Sequence, residues 1–316
     1  MSPSLEGLKI SIAQPILKGK MLDDLYKLLA EHTRQGVYIV DRERRITDWN
    51  PAAEQITGYF RQDVVGQLCR SDLLIHCDAK GRILCGDRCP LTAAIQGGHS
   101  SATTVFLRHK NGHRVPVHVQ AIPIRDEAGA ISGAIEIFEQ EHSTPMRYAE
   151  ALGSFGCLDD ATGLLNRPYT ETRLKQRLVE MELFGIPIGW IRIELEDLHA
   201  LEHRCGPPAV DALVALAART LMANNGQFDL LARWDTDQFR LAMYNCSPCQ
   251  VREVSSMLAA LISSSDLSWW GDLIHAHVSA GCTIAAPGDS VSSLEQRTAE
   301  ACFTSRAHGS GCAVLL

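Results

Sequence analysis

Asp159-Asp160-Ala161-Thr162-Gly163-Leu164-Leu165-Asn166-Arg167 fixes the register of the second half of the chain, because a regular alternation of helix and strand patterns starts directly after it. A helix is expected from about Pro168 to Leu183, a buried strand over Ile188 to Leu195, and a helix from about Pro208 to Ala223. Hairpin strands follow around Leu230 to Trp234 and Phe239 to Tyr244. A helix from about Pro248 to Ser263, a strand over His277 to Ala285 and a last helix from about Val291 to His308 complete the pattern. Helices interleaved with strands predict an α/β domain.

Working outward, the first half reads differently. Residues 1–20 show no period, while Leu22, Leu25, Leu28 and Leu29 give Met21 to Thr33 the spacing of an amphipathic helix. Val37 to Val40 and Ile46 to Trp49 read as a hairpin closed by the charged turn Asp41 to Arg44. Asn50 is placed to cap a helix with Pro51 at its first position, where the missing N–H costs nothing. Strands fit Thr103 to Arg108, Arg114 to Ile124 and Ile131 to Phe138, with turns at Lys110-Asn111-Gly112 and Asp126 to Gly129. Between the halves, Pro145 interrupts a stretch in which Met146, Ala149, Leu152 and Phe155 form one helical stripe.

The chain has 316 residues, 46% hydrophobic and 21% charged, enough for two separate cores. A net charge of -7 without a basic run argues against a nucleic-acid partner. With no charged n-region before an apolar segment, and no apolar run long enough to span a bilayer, a cytoplasmic location without a membrane span is expected. Eleven cysteines in a reducing compartment read as free thiols or metal ligands before disulfides.

The first half, with W-N-P-A-A-E at Trp49 to Glu54 and H-K-N-G-H-R-V-P-V at His109 to Val117, resembles a PAS sensor domain over about residues 21–140. That resemblance implies a five-stranded antiparallel sheet curled around a pocket. Asp159 to Arg167 resembles the D-x-L-T-G-L-x-N-R opening of GGDEF domains, and Ser279-Ala280-Gly281 resembles that family's S-x-G strand. The expected fold is therefore a two-domain α+β and α/β chain. An extension (1–20) leads into the PAS domain, a helical connector (141–158) follows, and a palm-like, ferredoxin-like GGDEF domain occupies 159–316. In such proteins the connectors pair across a homodimer and pass rotation from sensor to output.

GGDEF enzymes condense two GTP into cyclic di-GMP, which needs a divalent metal on carboxylates, a cationic grip on phosphate and a turn that approaches the nucleotide closely. The resemblance puts Glu194 and Glu196 at the metal aspartates and Asp237 at the surviving acidic position of the hairpin. Mg²⁺ is the expected ion wherever nucleotide binds. The two hairpin glycines are replaced by Asp235 and Thr236, and the glutamate by Gln238. Asp235 sets a negative charge against a polyanion, and β-branched Thr236 disfavours left-handed backbone. The phosphate lysines align with His199 and Arg306, and a neighbouring arginine with Ser310. The guanine-reading pair aligns with Glu202 and Asp211, and the product-inhibition motif with Gly226 and Asp229.

His76-Cys77, Cys85 and Cys89 lie within fourteen residues, with Cys69 just ahead. Four soft donors so close suit Zn²⁺ or, with another cysteine, an iron–sulfur cluster; they also suit a thiol switch or plain packing. Cys246-x-x-Cys249 opens a helix and reads as a surface turn, and Trp269-Trp270 as a core anchor. Three functional readings follow. The first is an inactive cyclase domain that works by binding GTP or a protein partner. The second is an active diguanylate cyclase. The third is a redox or metal sensor that uses its second domain as a dimerisation scaffold.

Overall fold

The computed structural model describes residues 28, 30–69, 73–86, 88–140, 149–224, 230–308 and 313–315. In the N-terminal domain β1 (Gly36–Asp41) and β2 (Ile46–Trp49) precede three short helices, α1 (Pro51–Thr57), α2 (Arg61–Val64) and α3 (Pro90–Gly97). Strands β3 (Ser101–Arg108), β4 (Arg114–Arg125) and β5 (Ile131–Gln140) close an antiparallel sheet of order β2-β1-β5-β4-β3. The core packed on it holds Tyr38, Trp49, Leu107, Val117 and Phe138 from the strands and Leu91 from α3.

One amide ties this domain's beginning together. The Asn50 side chain accepts from Ala53 N at 2.8 Å, capping α1 as expected, and also from Val37 N at 2.9 Å. Its Nδ2 donates to Ala30 O and Gln35 O, both at 2.9 Å. The residue is 4% exposed, so water cannot replace these partners.

The C-terminal domain follows a six-residue α4 (Ala149–Ser154). Asp159 accepts from Thr162 N and Oγ1, Gly163 takes a φ of 70°, and Asn166 caps α5 (Arg167–Phe184). Then come β6 (Ile188–Glu196), α6 (Leu198–Cys205), α7 (Pro207–Ala223), β7 (Leu230–Asp235), β8 (Gln238–Tyr244) and α8 (Pro248–Ser263). A hairpin of β9 (Asp266–Trp269) and β10 (Asp272–His275) leads to β11 (His277–Ile284), α9 (Val291–His308) and β12 (Ala313–Leu315). The sheet order is β12-β11-β6-β8-β7, with α7 and α8 packed on one face and α9 on the other. Gly281 makes the second contact possible: a Cβ there would fall 2.3 Å from Thr298 O and 2.5 Å from Cys302 N on α9.

The sequence pattern lacked α6, the β9–β10 hairpin and β12. Trp269 packs against the core, but Trp270 is 94% exposed at the hairpin tip with a φ of 50°, which corrects its reading as a core anchor. Most of the expected helix at 21–33 and residues 141–148 of the connector lie outside the described residues. Phe155, expected on the connector's stripe, is 81% exposed.

Replacing Asn50 with Ala removes a helix cap, worth about 1 kcal/mol, and leaves Val37 N buried without an acceptor, at about 1–3 kcal/mol. Asn50→Ala should therefore destabilise the N-terminal domain by about 2–4 kcal/mol. Urea unfolding followed by hydrogen exchange at Val37 and Ala53 checks this, and an unchanged midpoint would refute it.

Candidate functional site

Period-two alternation along β6 sends Ile191, Ile193 and Leu195 into the core under α7 and α8, and Trp190, Arg192, Glu194 and Glu196 to the opposite face. There they meet α9 and β8 in one chain of ion pairs. Glu295 on α9 accepts from Trp190 Nε1 at 2.8 Å and from Arg240 Nε and Nη2, both at 2.7 Å. Arg192 reaches Glu295 at 3.4 Å and Glu194 at 2.7 Å. Burial alone would raise the Glu295 carboxyl, but hydrogen bonds from Arg240 and Trp190 outweigh it and hold it below the usual carboxylate range. Arg240 Nη2 also donates to Gln238 Oε1 at 3.0 Å, binding the hairpin to the network.

The chain ends on the residues expected to work together on nucleotide. Arg306 donates to Glu194 Oε2 at 2.7 Å, and its Nε stands 3.4 Å from Glu196 Oε1. The presumed phosphate cation thus neutralises the presumed metal carboxylates. Among the described residues, no three His, Cys, Asp or Glu side chains are gathered to hold a metal ion. Glu194, Glu196 and Asp237, as they stand, do not fit a Mg²⁺ site.

On the hairpin, Asp235 accepts from Thr236 N at 2.8 Å and Thr236 Oγ1 at 3.1 Å, and Arg233 Nη2 donates to Thr236 O. The backbone hydrogen bond from Thr236 keeps the Asp235 carboxyl below its ordinary value. No residue from 235 to 238 takes a positive φ, so the turn has abandoned the conformation that glycines provide. Asp237 is half-buried and its carbonyl accepts from Leu195 N at 2.8 Å.

Arg233 was missed by the sequence reading. Burial lowers its guanidinium, while Asp159, Asp237, Asp235 and Asp211 act on it in the opposite sense. Asp211 thereby joins the hairpin's electrostatic neighbourhood although it lies on α7. Folding alone places these four aspartates around one guanidinium, and no spacing rule would have found them. His199 and Glu202 are exposed on α6, with the His199 ring tilted against that of His203 at 4.5 Å. Gly226, Asp229 and Ser310 lie outside the described residues.

In the N-terminal domain the expected donor set does not converge on one point among the described residues. Cys69 and Cys85 lie near Glu136, where burial above all raises both thiols, and Cys85 also accepts a backbone hydrogen bond from His76. His76 and Cys77 lie toward Arg114, with Cys77 Sγ 3.8 Å from Ser264 Oγ. His76, Cys77, Cys85 and Cys89 therefore do not form the tetrahedral set that Zn²⁺ or a cluster requires. Burial pushes the Cys69 thiol up to about 12 and raises Cys77 and Cys85, the opposite of a reactive thiolate. His118 on β4 is exposed.

The comparisons agree with this architecture. The model for the PAS fold matches residues 24–139, and that for the diguanylate cyclase GGDEF domain matches residues 157–312. The chain therefore joins a PAS domain to a GGDEF domain. Within signalling proteins it belongs with the diguanylate cyclase family. It is 23% identical over 282 residues to the probable diguanylate cyclase DgcE of Escherichia coli, covering 88% of this chain and 25% of that protein. It is also 23% identical over 246 residues to the cyclic di-GMP phosphodiesterase PdeB of Shewanella oneidensis, covering 75% of this chain and 26% of that protein. The chain thus spans about a quarter of the length of these two relatives, whose names point to opposite reactions. The coiled coil and GGDEF domain of DgcB from Caulobacter crescentus, solved with c-di-GMP, shares the fold at 20% identity and a TM-score of 0.50. That match covers 54% of this chain and 90% of that one.

Glu136 provides a pH test. Its Oε1 accepts from Tyr38 at 2.9 Å, its Oε2 has no hydrogen-bond partner, and burial raises the carboxyl to about 7. The native state holds a proton that the unfolded chain releases near the ordinary value of 4.5. Its stabilising effect is complete below about pH 4.5 and is lost as pH rises through about 7. The shift corresponds to roughly 3 kcal/mol. Glu136→Gln should flatten this loss in denaturation midpoints between pH 5 and 8, and an unchanged slope would exclude the assignment.

Proposed function

We propose that the GGDEF domain of this chain makes no cyclic di-GMP and serves as a binding module. Its occupant is GTP or a protein partner, and the PAS domain controls it within a cytoplasmic homodimer. The observation that carries this reading is Arg306 bridging Glu194 and Glu196. A metal ion entering there must first displace a guanidinium from both carboxylates. It would then meet side chains one methylene longer than the family's aspartates, and Mg²⁺ tolerates little departure from octahedral geometry. Any Mg²⁺ at this domain would arrive with the phosphates of a bound nucleotide.

The hairpin adds an independent obstacle. One negative charge about 4 Å from a phosphate charge, at an effective dielectric of about 20, opposes it by roughly 4 kcal/mol. That is about three orders of magnitude in affinity. Asp235 supplies this charge, and its hydrogen bonds to Thr236 keep the carboxylate ionised at the turn. Gln238 is neutral and held by Arg240, so it restores no metal ligand. The active-cyclase reading needs Arg306 to release both glutamates and the hairpin to reopen.

Purified protein incubated with GTP and Mg²⁺ or Mn²⁺ should yield no cyclic dinucleotide by mass spectrometry. Product formation abolished by Asp237→Ala would establish an atypical cyclase instead. A second measurement addresses the charge balance: Arg306→Met leaves Glu196 without its cation and Glu194 with Arg192 alone, so Mn²⁺ affinity by calorimetry should rise about tenfold or more over the parent protein. Equal affinities would show that the ion pair does not occlude the site.

A further inference from the structure

The buried face between the two domains is built from unlike parts that fit each other closely. Arg114, at the start of β4, is 1% exposed and faces no carboxylate at hydrogen-bonding distance. Its guanidinium donates instead to backbone carbonyls: Nε and Nη2 to Ser264 O at 3.1 and 2.5 Å, and Nη1 to Ile75 O. Ser264 is the C-cap of α8, where carbonyls lack helical partners and the helix dipole is negative. A cation from the PAS domain thus terminates a helix of the GGDEF domain.

Other contacts surround this one. Asn224 at the end of α7 donates to Arg114 O at 3.2 Å, and Cys77, Phe106 and Leu261 form a buried apolar cluster across the boundary. Gly112, in the β3–β4 turn at a φ of 85°, approaches so closely that a Cβ would sit 1.9 Å from Asp266 O. Arg108 stands 3.3 Å from Asp266, and Asp266 in turn holds His275 at 2.9 Å. His275 lines a cavity of about 400 Å³ with Glu196, Leu201, Arg204, Leu213 and Leu273. Glu196 is the residue that pairs with Arg306. Contiguous contacts therefore lead from the PAS hairpin to the wall of the candidate site.

We propose that the PAS domain acts on the GGDEF domain of its own chain directly through this face, with Arg114 as the pin and Asp266–His275 as the relay to the Glu196 wall. The connector then tethers the two domains, and the coupling passes through their contact. Arg114 and Asp266 are positioning residues. They touch no expected nucleotide ligand, and their effect is read independently of whether the domain binds GTP.

The test is hydrogen exchange of the full chain with two substitutions. Arg114→Met removes the cap; amide exchange at 261–266 and 75–77 should rise about tenfold or more, and the radius of gyration from small-angle scattering should increase. Asp266→Asn keeps size and shape but removes the relay charge; faster exchange should appear at 196–204 and 273–277 while 235–238 is unchanged. If Arg114→Met proves unfolded, the Asp266→Asn pattern decides alone. Unchanged exchange across the GGDEF domain in the folded variants would overturn the proposal, as would changes confined to the PAS domain.

Discussion

The pairing of Arg240 with Glu295 is the constraint around which the GGDEF domain is arranged. The Arg240 side chain is fully buried, and its two bonds to Glu295 join the central sheet to α9 across 55 residues of sequence. Removing one partner of such a pair leaves an uncompensated charge, a loss of about 3–5 kcal/mol. The same pair orients what surrounds it. Trp190 donates to the same carboxylate, Arg192 bridges onward to Glu194, and Gln238 accepts from Arg240 Nη2, a nitrogen that also serves Glu295. Arg306 comes to the two glutamates because α9 is held in this register, and Gly281 lets the helix backbone come close enough.

That arrangement explains how one face can retain the family's acidic positions and still present no metal site. Arg192, Arg240 and Arg306 face Glu194, Glu196 and Glu295, three positive charges against three negative ones. Neutrality has been reached within the protein. A face designed to receive a cation and a polyanion keeps charges in reserve for them. Here Arg306 is half-exposed while Glu194 is nearly buried, so the outermost member of the network is the one covering the carboxylates. The alteration at the hairpin agrees in sense: Asp235 and Thr236 close the turn by their own hydrogen bonds, where glycines would leave its amides free for phosphate.

Much of the architecture was legible because it rests on local rules. The helix over Pro248 to Ser263 is bounded by Ser247 with a complete capping box, and Asn50 and Asn166 cap helices with proline at their first turn. β6 reads as a buried strand from its apolar residues alone. The β9–β10 hairpin escaped because its turn places Trp270 at positive φ, a position where composition predicts glycine, asparagine or aspartate. The site was legible only as positions. Glu194, Glu196, Asp235, Thr236, Asp237 and Arg306 could be aligned, but pairing of Arg306 with residues more than a hundred positions earlier depends on how α9 packs. The cysteines failed for a related reason: proximity in sequence put His76, Cys77, Cys85 and Cys89 in one group, but the fold gathers no three of them to hold a metal.

The placement of the titratable groups in the PAS domain bears on how the two domains act on each other. The PAS core around Glu136 holds a carboxyl, the Tyr38 phenol and the thiols of Cys69 and Cys85, whose charged forms burial disfavours. His76, lowered to about 4 by burial and by Arg114, stands near the guanidinium that makes the contact with Ser264. Raising pH through about 7 therefore charges the Glu136 side, whereas lowering it toward 4 charges His76 beside a guanidinium already committed to α8. Each change strains a different boundary of the domain. Only the second bears on the interdomain face, because His76 and Arg114 share it with Cys77 and Ile75. A perturbation that reaches the GGDEF domain must disturb this second set, while one confined to Glu136 and its thiols acts first on the PAS core.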